Sequence, residues 1–176
     1  MSVGYLLASL PMLAPDRAPR ITAEDFRSTC ASALSVADAA AVAELLVGDG
    51  TPNATHPAVR KWYALAAAID GAVGRCRLAR RGRTTVVPPP PTSACPLWLI
   101  RAVEAAFESA PDPLTREDAL MRVRWNAAED FGGFDPMAKV QVFAYAVRLR
   151  LALRRAARDT KTGRERLEAA LPKETL

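Results

Sequence analysis

Helix-start signals recur along this chain and constrain its fold more than any other feature. Thr22, Ser35 and Thr115 each stand three positions before an aspartate, in the segments TAED, SVAD and TRED, and a stretch rich in alanine and leucine follows each one. A hydroxyl side chain at such a position accepts a hydrogen bond from the first turn of a helix, and an acid three residues later supports the same turn. A half-buried strand alternates apolar and polar residues, and no segment keeps up this alternation long enough to predict one. The sequence therefore predicts an all-α fold.

We expect a single helical domain over residues 1–176, a compact bundle of about six to eight helices. The predicted helices cover residues 23–33, 36–47, 57–82, 96–110 and 115–131, then a long helix beginning at Asp135 and Pro136, and a short polar helix near the end of the chain. Four consecutive prolines within about residues 83–96 favour an extended, irregular connector. The alternative for that segment is a docking site for a proline-reading domain.

The spacing of apolar residues predicts how two of these helices pack. In the helix over 57–82 one apolar stripe predicts a single buried face; it consists of Val59, Trp62, Ala66, Ile69, Val73 and Cys76. The late helix has two opposed stripes, Val140, Ala144, Val147 and Leu151 on one side and Val142, Ala146, Leu149 and Leu153 on the other. A helix that is apolar on opposite faces is expected to lie between neighbours.

The apolar run Val3–Leu13 raises the question of compartment. A secretion signal requires basic residues near its start, and this run has none before or within it. It is also shorter than the roughly 20 residues that span a bilayer. We therefore expect it to form core beneath the later helices. Three widely spaced cysteines and a single histidine also predict neither a disulfide framework nor a zinc site. These features favour a cytoplasmic protein without a transmembrane segment.

Residue patterns that indicate catalysis are missing. The chain has no GxSxG nucleophile elbow, no phosphate-binding glycine loop and no GxGxxG fingerprint. His56 precedes Pro57, which predicts a capping or solvated histidine at a helix start. We expect a protein that is not an enzyme and that has no cofactor or metal.

Two arginine-rich helix ends are the candidate partner-binding surfaces in a chain of net charge +5. They lie in the segments RCRLARRGR and RLRLALRRAAR, and the candidate residues are Arg75, Arg77, Arg80, Arg81, Arg148, Arg154 and Arg155. Such arginines also complement the negative end of a helix and cover apolar surface with their stems. A phosphate-binding, nucleic-acid-associated surface is the alternative, although no recognised nucleic-acid module accompanies them.

The N-terminal stretch GYLLASLPMLAPDRAPRITAEDFRSTC resembles the start of an uncharacterised bacterial family whose genes tend to lie beside those of V-type ATPase subunits. The same stretch is similar to the start of the C subunit of V-type ATPases, the counterpart of the eukaryotic d subunit. The segments ALMRVRWNAAEDF and FAYAVRLRLALRRAARD also look like the bacterial family. The residues that carry the match include Tyr5, Leu10, Pro11, Phe26, Cys30, Arg124, Trp125 and Tyr145.

The resemblance implies part of the all-helical fold of the V-type ATPase C subunit and a non-catalytic role. Proteins of that kind cap the membrane ring on its cytoplasmic face and receive the end of the central stalk. It therefore implies an accessory or central-stalk component of a V-type ATPase or ATP synthase. Its partners would be V-type ATPase subunits, through which the protein would be peripheral to the membrane. Exposed arginines would then face acidic surfaces of those partners.

Overall fold

Polar caps and prolines start most of the helices in the computed structural model, which describes residues 2–82, 96–110 and 112–158. Within these ranges there are seven helices and no strand. The helices are α1 (Val3–Ser9), α2 (Ala23–Ala33), α3 (Val36–Val47), α4 (Pro57–Arg80), α5 (Leu97–Ser109), α6 (Pro113–Gly132) and α7 (Val140–Ala156). They pack into a compact bundle, which confirms the predicted all-α class.

Two of the three predicted capping segments act as predicted. The Thr22 hydroxyl accepts from the backbone N–H of Asp25 at 3.1 Å and donates to its carboxylate at 2.7 Å. Ser35 and Asp38 make the same pair of contacts at the start of α3. The third prediction is wrong, since α6 begins at Pro113 and Asp112 is its cap, accepting from the backbone N–H of Thr115 at 2.9 Å. An aspartate followed by proline is a strong start signal, and it places Thr115 inside the first turn.

The long late helix begins later than Asp135 and Pro136, the predicted start. Residues 135–139 form turns, and α7 starts at Val140. The Asp135 carboxylate accepts from the backbone N–H of Met137 at 2.9 Å, while the Gln141 side chain donates to the Gly132 and Gly133 carbonyls. Local side-chain bonds of this kind compete with helix formation, so they hold the chain in a turn. The predicted final helix and the proline connector at residues 83–95 lie outside the described residues.

Helix α7 lies between neighbours, as its two apolar stripes predict. It packs against α3 and α6, and to a smaller extent against α4. Residues from both stripes are buried, among them Ala144, Val147, Leu149 and Val142. In α4 the predicted stripe also faces the core, with Val59, Trp62, Ile69 and Val73 buried.

The N-terminal run contributes to the core. Leu6 of α1 is completely buried, and Val3, Leu7, Leu10 and Leu13 are partly buried against the same cluster. Tyr5 and Met12 lie on the outer side and are exposed. Across the three described ranges, no helix has both the length and the apolar character needed to cross a lipid bilayer.

Candidate partner-binding surfaces

The arginines at the end of α4 divide into two kinds. Arg77 and Arg81 are exposed, and Arg75 is partly buried. Arg80 reaches across to α5, where its guanidinium donates to the Phe107 carbonyl and lies 5.3 Å from the centroid of the Phe107 ring. Arg80 is exposed as well but is engaged with α5, which leaves Arg77 and Arg81 as the exposed arginines of this helix end that make no such contact with a described residue.

Arg148 of α7 is largely withdrawn from the surface. Its side chain is 21% exposed, its guanidinium lies 5.9 Å from the centroid of the Trp125 ring, and a carboxylate oxygen of Glu129 is 3.8 Å away. The Trp125 indole N–H donates to the same carboxylate at 2.9 Å. Burial lowers the pKa of Arg148, although Glu129 opposes that effect. Arg148 thus holds α6 and α7 together and offers a partner little surface.

Arg155 is also engaged within the chain, whereas Arg154 extends into solvent. Arg155 donates to the Pro15 carbonyl at 2.7 Å and lies 3.9 Å from the Asp118 carboxylate. The Asp118 carboxylate also accepts from Arg158 at 2.5 Å. Arg154 has a side chain that is 76% exposed and lies 4.0 Å from Glu117. Of the three predicted α7 arginines, Arg154 is therefore the most accessible.

A groove of about 680 Å³ brings further arginines together. Its walls are the end of α3, the loop that follows, the middle of α4, one side chain of α6 and the last turns of α7. Arg124, Arg150 and Arg154 line it, and Asp70 is the one acidic side chain among the described residues that do so. We call this feature the cationic groove. Its size lies within the range typical of sites that bind small molecules.

Arg150 is the groove residue that sequence reasoning missed. Its guanidinium donates to the Leu45 carbonyl at 3.1 Å and lies against Gly48, which ends α3 with φ +87°. The signal in the sequence is the spacing of four between Arg150 and Arg154, which puts both on one side of α7. The second half of the site, on α3 and α4, is set by tertiary packing.

Several residues that carry the family resemblance, Pro11, Phe26, Cys30 and Tyr145, lie close together, whereas Arg124 lines the cationic groove. The Tyr145 hydroxyl donates to the Pro11 carbonyl at 2.8 Å, and the Phe26 and Tyr145 ring centroids are 4.9 Å apart. Burial raises the pKa of Tyr145 to about 12, although the nearby Arg148 opposes that effect. Burial likewise raises the pKa of the Cys30 thiol to about 12, as expected for an unreactive core cysteine. Leu10 packs partly buried beside this cluster, and Tyr5 stays exposed.

Of the other residues in that match, Arg124 and Trp125 lie on α6. Trp125 is buried against Arg148, while Arg124 turns to α4 and binds Asp70 at 2.9 Å. The described residues hold no cluster of three or more histidine, cysteine or acidic side chains arranged to bind a metal.

The fold and these surfaces define a helical bundle with a cationic groove and exposed arginines at two helix ends. Comparison of the chain with protein-family models, with curated proteins and with solved structures finds no match.

Proposed function

We propose that the protein is a non-catalytic accessory or central-stalk component of a V-type ATPase or ATP synthase, similar to the C subunit. In this role it helps to couple the rotary stalk to the membrane ring. The resemblance of three sequence segments to the bacterial family supplies the context. Residues from two of those segments meet at Tyr145, whose hydroxyl donates to the Pro11 carbonyl and whose ring packs against Phe26.

The observation that carries the proposal is a set of cations that carboxylates of the described residues neutralise little or not at all, the one pairing among them being the 4.0 Å contact of Arg154 with Glu117. Arg77, Arg81 and Arg154 project from the ends of two helices, and Arg150 lies in the cationic groove. Among the described residues no carboxylate lies within 4 Å of Arg150 or Arg77. Charged surfaces of this kind steer the association of proteins and select complementary partners. They suit a protein that docks on acidic surfaces of a larger assembly.

Co-purification from the native host tests the proposal. A tagged copy of the chain is expected to bring down V-type ATPase subunits at moderate salt, identified by mass spectrometry. The same tag on an unrelated helical protein is the control. Absence of these subunits under conditions that keep the tagged protein folded would overturn the proposed function.

A further inference from the structure

The cationic groove combines cations with apolar side chains that remain open to solvent. Val47 at its edge is 71% exposed, while Leu46 and Leu153 are partly buried. Alanines on α4 leave room between these side chains and α7. Apolar side chains with cations beside them can accommodate the apolar face of an amphipathic segment.

The cations of the groove are only partly neutralised from within. Arg124 is bound to Asp70, whereas the carboxylate nearest to Arg154 is that of Glu117, at the limit of an ion pair, 4.0 Å. Arg150 is held in place by the Leu45 carbonyl, which carries no net charge. Because Arg150 and Arg154 are one helical turn apart on α7, two cations face an occupant along one wall.

We infer that the cationic groove binds an amphipathic helix of a partner protein, with its apolar face against apolar side chains of α3 and α7 and acidic residues beside Arg150 and Arg154. This inference rests on the proposed function, since it assigns a surface and a class of partner to it. An apolar strip along the partner helix covers the side chains of Val47, Leu46 and Leu153, and glutamates beside that strip complement the α7 arginines.

A nucleic acid fits the same groove less well. Its phosphates would pair with the arginines but would leave the apolar wall in contact with water. Single strands also bind through bases stacked on exposed aromatic rings. Among the described residues, the aromatic side chains that line the groove are Trp62 and Tyr63, and both are buried and offer no free ring face of that kind.

Fluorescence anisotropy with a defined probe tests the inference on the full chain. The probe is a fluorescein-labelled peptide of about 18 residues. It is built from leucine, alanine and glutamate, with leucines at helical spacing and glutamates beside them. A control peptide has glutamine in place of every glutamate. We expect saturable binding of the acidic peptide, weakened by added salt, and binding of the control that is at least about tenfold weaker.

Two matched variants test whether the peptide binds in the groove. Arg154→Glu reverses a groove charge, and Arg122→Glu makes the same change at an exposed arginine of α6 that does not line the groove. We expect the dissociation constant to rise about tenfold in Arg154→Glu and less than about twofold in Arg122→Glu. Circular dichroism checks that both variants fold. If Arg154→Glu does not fold, Arg154→Gln replaces it, with an expected rise of the dissociation constant of about threefold.

The other outcomes overturn the inference. Equal binding of the two peptides, or equal loss in the two variants, shows that the groove does not recognise an acidic helix. An oligothymidine strand that binds more tightly than the peptide and is lost in Arg154→Glu makes the groove a nucleic-acid site. Peptide binding is independent of the co-purification result, so failure of the groove and failure of the proposed function are distinguishable.

Discussion

At the scale of single residues, Asp38 shows how one buried side chain joins three elements. It is 8% exposed and accepts from the Ser35 hydroxyl at 2.5 Å and from the Lys139 ammonium at 2.9 Å. His56, the cap of α4, accepts from the backbone N–H of Ala58 through Nδ1. Its Nε2 therefore carries the proton and donates to Asp38 at 3.3 Å. The starts of α3, α4 and α7 meet at this carboxylate.

Asp38 is expected to make stability depend on acid pH. Burial raises its pKa, but hydrogen bonds from Ser35, Lys139 and His56 outweigh that effect and hold the pKa below its ordinary value. Since the folded state then binds a proton less readily than the unfolded state, this contribution is present above about pH 4. It is lost as the pH falls through the folded pKa.

We predict that Asp38→Asn lowers the free energy of unfolding by about 2 kcal/mol at pH 7. Between pH 5 and 3, the free energy of unfolding of the variant is also expected to fall less than that of the wild type. This range extends about one pH unit to either side of the ordinary carboxyl pKa. Urea unfolding at each pH measures both effects, with the exposed Asp16→Asn as control. Identical acid profiles for Asp38→Asn and the wild type would contradict the prediction.

At the scale of elements, the end of α3 depends on a contact that its own sequence does not contain. Gly48 has φ +87°, and a Cβ built there would overlap Nη1 of Arg150, which binds the Leu45 carbonyl. The arginine satisfies a carbonyl that the helix leaves unpaired at its end. The same contact forms one wall of the cationic groove.

Gly48→Ala is expected to destabilise the fold by about 2 kcal/mol, through backbone strain and displacement of Arg150. Gly82→Ala is the control, because Gly82 also has positive φ (+64°) but no described atom lies within 4 Å of an added Cβ. It should lose about 1 kcal/mol, from strain alone. Equal losses in thermal or urea unfolding would show that Arg150 contributes nothing to the end of α3.

At the scale of the whole molecule, the N-terminal run is part of the folded body. Leu6 is buried within the main cluster, and the Tyr145 hydroxyl of α7 binds the Pro11 carbonyl across 134 positions of the chain. The last helical turn of α7 likewise reaches back, through Arg155, to the Pro15 carbonyl. These contacts hold the start of the chain against its later helices.

Leu6→Ala is therefore expected to lower the free energy of unfolding by about 3 kcal/mol, the cost of a cavity in a packed core. The matched control is Leu114→Ala on α6, where the leucine is 67% exposed and the loss should stay below about 0.5 kcal/mol. Chemical unfolding of both variants makes the comparison. A loss at Leu6 as small as at Leu114 would mean that α1 is not part of the cooperative fold.

The sequence by itself determined the helical class and most helix positions, because caps and apolar spacing act within one or two turns of the chain. Ser35, Thr22 and the two stripes of α7 are of this local kind, and the structure confirms them. The predicted helix starts at Thr115 and Asp135 were wrong. Asp112 caps α6 in place of Thr115, and the Asp135 carboxylate binds the backbone N–H of Met137 in a turn that precedes α7.

Only the tertiary structure decided which arginines are engaged within the chain and which remain accessible. The sequence does not distinguish Arg148 and Arg155 from Arg154. In the structure Arg148 contacts Glu129 and Trp125. Arg155 contacts Asp118 and the Pro15 carbonyl. Whether a guanidinium is neutralised depends on which side chains and carbonyls lie within a few ångströms of it, and helical periodicity does not contain that information. For the same reason the cationic groove, built from α3, α4, α6 and α7, emerges only when those helices pack.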